Sequence, residues 1–193
     1  MNELFETLAE NNSRNFKLEF LKQHSDNELL KEVIRLALDP FTQFYIRKIP
    51  DYTPARPNQA DTLGSVIDSL AMLSNRTVTG NAAIAHLTKL LSSLTEPDAK
   101  VIERIIQKDL KCGVSIATAN AVWPGLISEY PCMLCSSYDQ KLVDKIKYPA
   151  LVQTKMDGMR FNAIVKNGAV EFRSRNGKEI QLLGNLEIGR AHV

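Results

Sequence analysis

A chain in two unlike parts, all-helical first and α/β afterwards, is what the sequence predicts, and three observations predict it. Apolar residues recur at helical spacing through the first ~125 positions. That periodicity stops after Pro124. Beyond it, β-branched and aromatic residues gather on either side of an Asn167-Gly168 pair, a strong hairpin-turn signal.

The helical elements follow in order. "SDNELLKEVIRLAL" opens with Ser25 and, three residues later, Glu28, the pattern of a capping box. Leu29, Leu30, Val33, Ile34 and Leu38 then return at the spacing of one helix face. Leu63, Val66, Ile67, Leu70 and Leu73 do the same in "TLGSVIDSLAML". "NAAIAHLTKLLSSL" and "PDAKVIERIIQKDL" supply two more helices, and "TPARPNQA" marks a proline-rich loop around residues 53–60. "PGLISEYPCMLCSSYDQ" has turn residues and little periodicity, as a linker would. In the strand region Phe161, Ala163 and Val165 alternate with Arg160, Asn162, Ile164 and Lys166, although Ile164 spoils a clean two-sided pattern. No fixed-period repeat is present.

Composition sets bounds. With 193 residues, 44% of them hydrophobic and 24% charged, the chain has the makings of one or two globular domains with a sizeable core. A net charge of +2 implies nothing about nucleic acid, so the placement of the charges matters more. No apolar run approaches the ~18 residues of a membrane span, and "MNELFETLAENN" is too acidic for a signal peptide, so a cytoplasmic location without membrane association is expected. The three cysteines are odd in number, which suits a reducing compartment. Cys132 and Cys135 form a C-x-x-C that could be half of a zinc site. No second ligand pair accompanies it and the histidines are scattered, so two ordinary thiols are expected and no metal ligand is assigned.

Arg104, Lys108 and Lys111 stand four and three residues apart, which on a continuous helix places them in one basic stripe opposite Ile102, Ile105, Ile106 and Leu110. Gly113 is suited to end that helix and Ser115 to cap the next, "IATANAVW", whose open N–H groups could hold a phosphate. A nucleic-acid backbone would suit such a pair of helices; a solvated helix face is the plainer alternative.

"QTKMDGMR" carries the chemistry. A lysine amine is a poor nucleophile unless a nearby cation or a desolvated pocket lowers its pKa from about 10.4. Here Lys155 would end a strand formed by "YPALVQTK", and Asp157-Gly158 would turn the chain into the next. Gly158 would let backbone approach a ligand, and Arg160 would offer a fork of donors. A surface hairpin with an Asp-Gly turn accounts for these six residues almost as well.

K-x-D-G-x-R is also motif I of the nucleotidyltransferases: ATP-dependent DNA ligases, RNA ligases and mRNA capping enzymes. "SRNG" at 174–177 resembles the next motif of the DNA ligases. "GNAAIAHL", "KDLKCGVSIATANAVWPGLI" and "CMLCSSYD" resemble the N-terminal DNA-binding domain and linker of phage ATP-dependent DNA ligases of the T-even type, and the resemblance runs over residues 26–183. It implies a helical DNA-binding domain at 1–128, a linker at 129–147, and the incomplete start of a nucleotidyltransferase domain at 148–186. The resemblance further implies that Lys155 takes AMP from ATP, that Gln153 lies near the adenine, and that Arg160 contacts the nucleotide. Arg175 would sit near the ribose and the 5′-phosphate of a nick. Arg104, Lys108, Lys111 and Ser115 become candidates for contact with nicked duplex DNA, and Mg2+ would neutralise phosphate charge.

The family's later motifs and C-terminal domain are missing from these residues, so the chain alone is expected to be inert. Residues 187–193, "EIGRAHV", depart from the family and read like the translation of a sequencing adapter, so a non-native tail is expected there. A monomer is expected. The rival readings are an RNA ligase or capping enzyme, against which the long helical part argues, and a non-catalytic helical DNA-binding module.

Overall fold

The computed structural model describes residues 1–46, 48–130, 136–152, 154, 157–158, 161–175 and 177–180. Two compact units divide the chain, Met1–Ser128 and Glu129–Val193. Among the described residues the first unit consists of α1 (Asn2–Glu10), α2 (Arg14–Gln23), α3 (Glu28–Leu38), α4 (Leu63–Ser69), α5 (Ala71–Ser74), α6 (Gly80–Ser92), α7 (Glu96–Gln107) and α8 (Ile116–Val122). The second contains α9 (Gln140–Val143) and a hairpin of β1 (Phe161–Lys166) and β2 (Ala169–Ser174). No described helix is long and apolar enough to cross a membrane.

Side chains from the turns start these helices. Ser13, Asn27, Thr62 and Ser115 each accept a bond from an N–H of the first helical turn they precede. The expected Ser25–Glu28 capping box does not form. Asn27 caps α3 instead, accepting from the Leu30 N–H at 3.0 Å, because Glu28 is the first helical residue rather than the third. Ser25 lies in the preceding turn, where its carbonyl accepts the Trp123 indole N–H at 3.1 Å. The single helix expected over "TLGSVIDSLAML" breaks at Leu70 into α4 and α5. The Ser69 hydroxyl bonds back to the Ser65 carbonyl at 3.3 Å, a contact that bends helices.

The core is built on α7. Its Ala99, Val101, Ile102, Ile105 and Ile106 are buried, and it packs against α1, α3 and α6. Val33, Ile34 and Ala37 come from α3, and Leu87, Leu90 and Leu91 from α6. Leu63, Val66, Ile67, Leu70 and Leu73 are all buried, as their spacing predicts. The long loop after α3 is tied down by backbone bonds from Ala55 to Leu94 and from Asp61 to Ser93, both 2.8 Å. The Tyr52 hydroxyl donates to Glu103 on α7 at 2.7 Å, and burial together with that carboxylate pushes the phenol well above its ordinary range. Separately, α2 packs on α8.

The hairpin forms as its turn pair predicts. Asn167 (φ 52°) and Gly168 (φ 80°) both take left-handed conformations, the geometry of a two-residue turn matched to strand twist. The alternation also resolves. Asn162 and Ile164 lie on the more covered face, where Asn162 Nδ2 donates to the Tyr130 hydroxyl at 3.4 Å. Phe161 and Phe172 meet edge to face at 5.7 Å on the other side, which leaves Val165 and Val170 exposed. Ile164 therefore belongs to the pattern. No strand forms in the described part of "YPALVQTK", where Leu151 and Val152 are 85% and 93% exposed and no described segment pairs with them.

Ile105→Ala should destabilise the helical unit by about 2–5 kcal/mol in urea unfolding, because it empties a sealed site. Ile84→Ala on the exposed side of α6 should stay within about 0.5 kcal/mol.

Candidate nucleic-acid interface

The basic stripe expected on one continuous helix is not there, and helix termination is the reason. α7 ends at Gln107, and Lys108 takes the left-handed conformation (φ 59°, ψ 31°). The N–H groups of Lys108 and Asp109 turn back to the carbonyls of Ile105 (3.1 Å) and Arg104 (3.0 Å), closing the helix by a C-terminal turn that usually favours glycine. Lys111 therefore lies beyond the helix, and the three cations point to three environments.

Arg104 faces α1. Its Nη2 donates to Glu6 Oε1 at 2.6 Å, and its side chain is 14% exposed. The Lys108 ammonium turns inward to the end of α3, donating to the carbonyls of Leu36 at 2.6 Å and Asp39 at 2.7 Å, with the Phe44 ring 5.8 Å away. Those carbonyls carry the negative end of the helix dipole, so a cation is favourable there. Both residues hold the fold together.

Lys111 and Ser115 are placed differently. From 110 to 115 the chain alternates strictly: Leu110, Cys112 and Val114 are buried, whereas Lys111, Gly113 and Ser115 are exposed. Lys111 (φ 54°) and Gly113 (φ 67°) are left-handed, and the Asp109 carboxylate accepts the Lys111 N–H at 2.8 Å. Three inward anchors thus clamp the loop while its outer edge faces solvent. Ser115 caps α8 as expected, accepting from the Thr118 N–H at 3.2 Å. Asn120 closes the far side, pairing with both the carbonyl and the N–H of Ile127 at 2.9 Å.

Beneath the loop lies a residue the sequence reading missed. Lys17 on α2 is 4% exposed, and an added Cβ on Gly113 would fall 2.3 Å from its Nζ. The signal was available: Lys17 stands four residues before the buried Leu21, on the inward face of its helix. Burial raises the pKa of the Cys112 thiol, and the positive charges of Lys17 and Arg104 pull the other way.

In the second unit, Arg175 is exposed in the turn that follows β2. The Gly177 N–H reaches the Ser174 carbonyl at 2.9 Å and the Lys178 N–H reaches Ser174 Oγ at 3.1 Å, bonds that bring the chain back on Ser174 and leave Arg175 exposed. The Tyr130 ring fills the place of a side chain at Gly177, 2.7 Å from where a Cβ would stand. Nothing lies within 4 Å of a Cβ at Gly158. Lys155, Gln153 and Arg160 lie outside the described residues, as do Cys132, Cys135 and residues 187–193. Among the described residues, no group of three or more His, Cys, Asp or Glu is placed to hold a metal.

No family model matches the chain. The DNA ligases of Enterobacteria phages T4 and T6 are each 43% identical to it over 171 residues, covering 84% of this chain and 35% of their own length. The solved structures named Pmar-Lig_PreS3 and Pmar-Lig_Pre. match 93% of this chain and 43% of theirs, with TM-scores of 0.70 and 0.71 at 26% and 28% identity. The resemblance to phage DNA ligases read from the motifs is therefore borne out, over a stretch that spans about a third of those curated relatives.

In a Cys132→Ser, Cys135→Ser background, Cys112 should react slowly with an aromatic disulfide until urea unfolds the chain. Because folding raises this thiol's pKa, the unfolded chain ionises first as pH rises. Stability should fall above the ordinary thiol value of about 8.5, and Cys112→Ala should remove that part of the pH dependence.

Proposed function

We propose that this relative of the phage DNA ligases is the duplex-holding and lysine-bearing part of an ATP-dependent DNA ligase. The observation that carries the reading is the clamped loop at 110–115. It offers Lys111, the bare backbone of Gly113 and the Ser115 hydroxyl on one outer edge, anchored by three buried side chains. Such an edge recognises phosphate and sugar rather than base identity, which sealing a break of any sequence requires. Arg104 and Lys108 act from behind, one fixing α1 to α7 and the other fixing the end of α7 to α3.

In this reading the Lys155 amine attacks the α-phosphate of ATP, forming a phosphoramidate to AMP and releasing pyrophosphate. The AMP passes to the 5′-phosphate of a nick in duplex DNA, and the adjacent 3′-hydroxyl then displaces it as the phosphodiester forms. Gln153 meets the adenine, Arg160 the nucleotide, and Arg175, exposed on its turn, the ribose and the nick phosphate. Mg2+ would neutralise phosphate charge in each step. The enzyme works as a monomer in the cytoplasm of a phage-infected or bacterial cell, in DNA replication, repair and recombination.

Two measurements test this. Binding of the chain to nicked duplex should weaken linearly in log salt, and Lys111→Ala should lower that slope by about 0.9. Indifference to both would remove the DNA reading. A chimaera joining residues 1–180 to the remaining length of the phage T4 ligase should take label from α-phosphate-labelled ATP. Lys155→Ala should abolish the label, and label that survives it would reject the covalent lysine.

A further inference from the structure

We propose that Lys17, a residue of α2, holds a backbone phosphate of the duplex through the opening at Gly113. The inference rests on the duplex-binding reading of the 110–115 loop and adds to it a residue from a different part of the chain.

Three observations carry it. Lys17 is 96% buried by its 4% exposure, yet its amine makes no hydrogen bond or ion pair among the described residues. A buried ammonium without a partner is costly, and burying one is normally tolerated only when something pairs with it. Second, the amine is not sealed. The fully sealed side-chain polar atoms without a partner among the described residues are Asn2 Oδ1 and Arg104 Nη1, so Lys17 Nζ keeps a path to the surface. Third, that path is at Gly113. The residue is exposed and left-handed, and the amine stands 2.3 Å from where its Cβ would be. A side chain at Gly113 would collide with the amine, so the glycine leaves the cation an outlet on the same edge as Lys111 and Ser115.

The ligand must be an anion small enough to meet a recessed amine, with oxygens that project from a larger body. A phosphodiester oxygen of the duplex meets that need, and inorganic phosphate shares its chemistry. The Lys17 side chain is buried, with its end against Gly113, so little side-chain freedom is lost on binding. Exposed Lys22, near the C-terminal end of the same helix, has no such mounting.

The test uses the 193-residue chain and a nicked duplex oligonucleotide. Lys17→Met keeps the buried stem and removes the charge. It should weaken binding about tenfold near 0.1 M salt and reduce the salt slope by about 0.9, whereas Lys22→Met should do neither. Lysine acylation read by mass spectrometry provides a measurement on the unaltered chain. Saturating duplex should protect Lys17, and inorganic phosphate at the same phosphate concentration should not. If Lys17 is modified equally with and without duplex, or if Lys17→Met binds like the parent, the proposal is wrong. Protection by inorganic phosphate alone would mean a free-anion site and would also overturn it. If the unaltered chain does not bind duplex at all, the failure lies with the duplex-binding reading itself.

Discussion

The end of α7 is the constraint on which the candidate interface depends. A helix running on past Leu110 would have lined Arg104, Lys108 and Lys111 along one face. Instead the backbone reverses at Lys108, and the same residue's ammonium is bound by two carbonyls at the end of α3. A non-glycine residue in the left-handed region costs about 1 kcal/mol or more. The two charge-assisted bonds, each worth roughly 1.5–3 kcal/mol, more than offset it. Everything downstream inherits that reversal: the in-and-out alternation at 110–115, the outlet at Gly113, and the start of α8 at Ile116.

Much of this was legible in the sequence, and the failures share a cause. The apolar spacing of Leu63 through Leu73, the Asn167-Gly168 turn and the Ser115 cap are each set by residues within a few positions, and each is found where it was expected. Local pattern misled where a distant group decided the outcome. Nothing near Lys108 in sequence says that the carbonyls of Leu36 and Asp39 await its amine. Nothing near Arg104 points to Glu6, almost a hundred residues away. Ser25 looked like a cap because Glu28 follows it, but Asn27 was closer to the first helical N–H groups and took the role. Lys17 escaped notice because lysine is ordinarily an outward residue. The nucleotide side was read from the motif itself, and Lys155 lies outside the described residues, so only Arg175 gains a structural setting.

The cations of the helical unit thus sort by what surrounds them rather than by where they fall in the chain. Arg104 is matched by a carboxylate and Lys108 by carbonyl dipoles, and these two brace the scaffold. Lys111 is exposed, and Lys17 is buried against Gly113. A net charge of +2 conceals this division of labour entirely. For a surface that must grip a backbone of uniform charge, rigid placement of a few cations matters more than their number, because each immobilised contact releases a counterion without first ordering a side chain.

Trp123 has a last consequence. It is the chain's single tryptophan, it is 9% exposed, and its indole N–H bridges α8 to the turn after α2. The emission spectrum of the whole polypeptide therefore reports on one seam of the helical unit, at the opposite end of α8 from Ser115. An optical titration would follow that seam directly, so the unfolding of the helical unit can be watched through a single side chain.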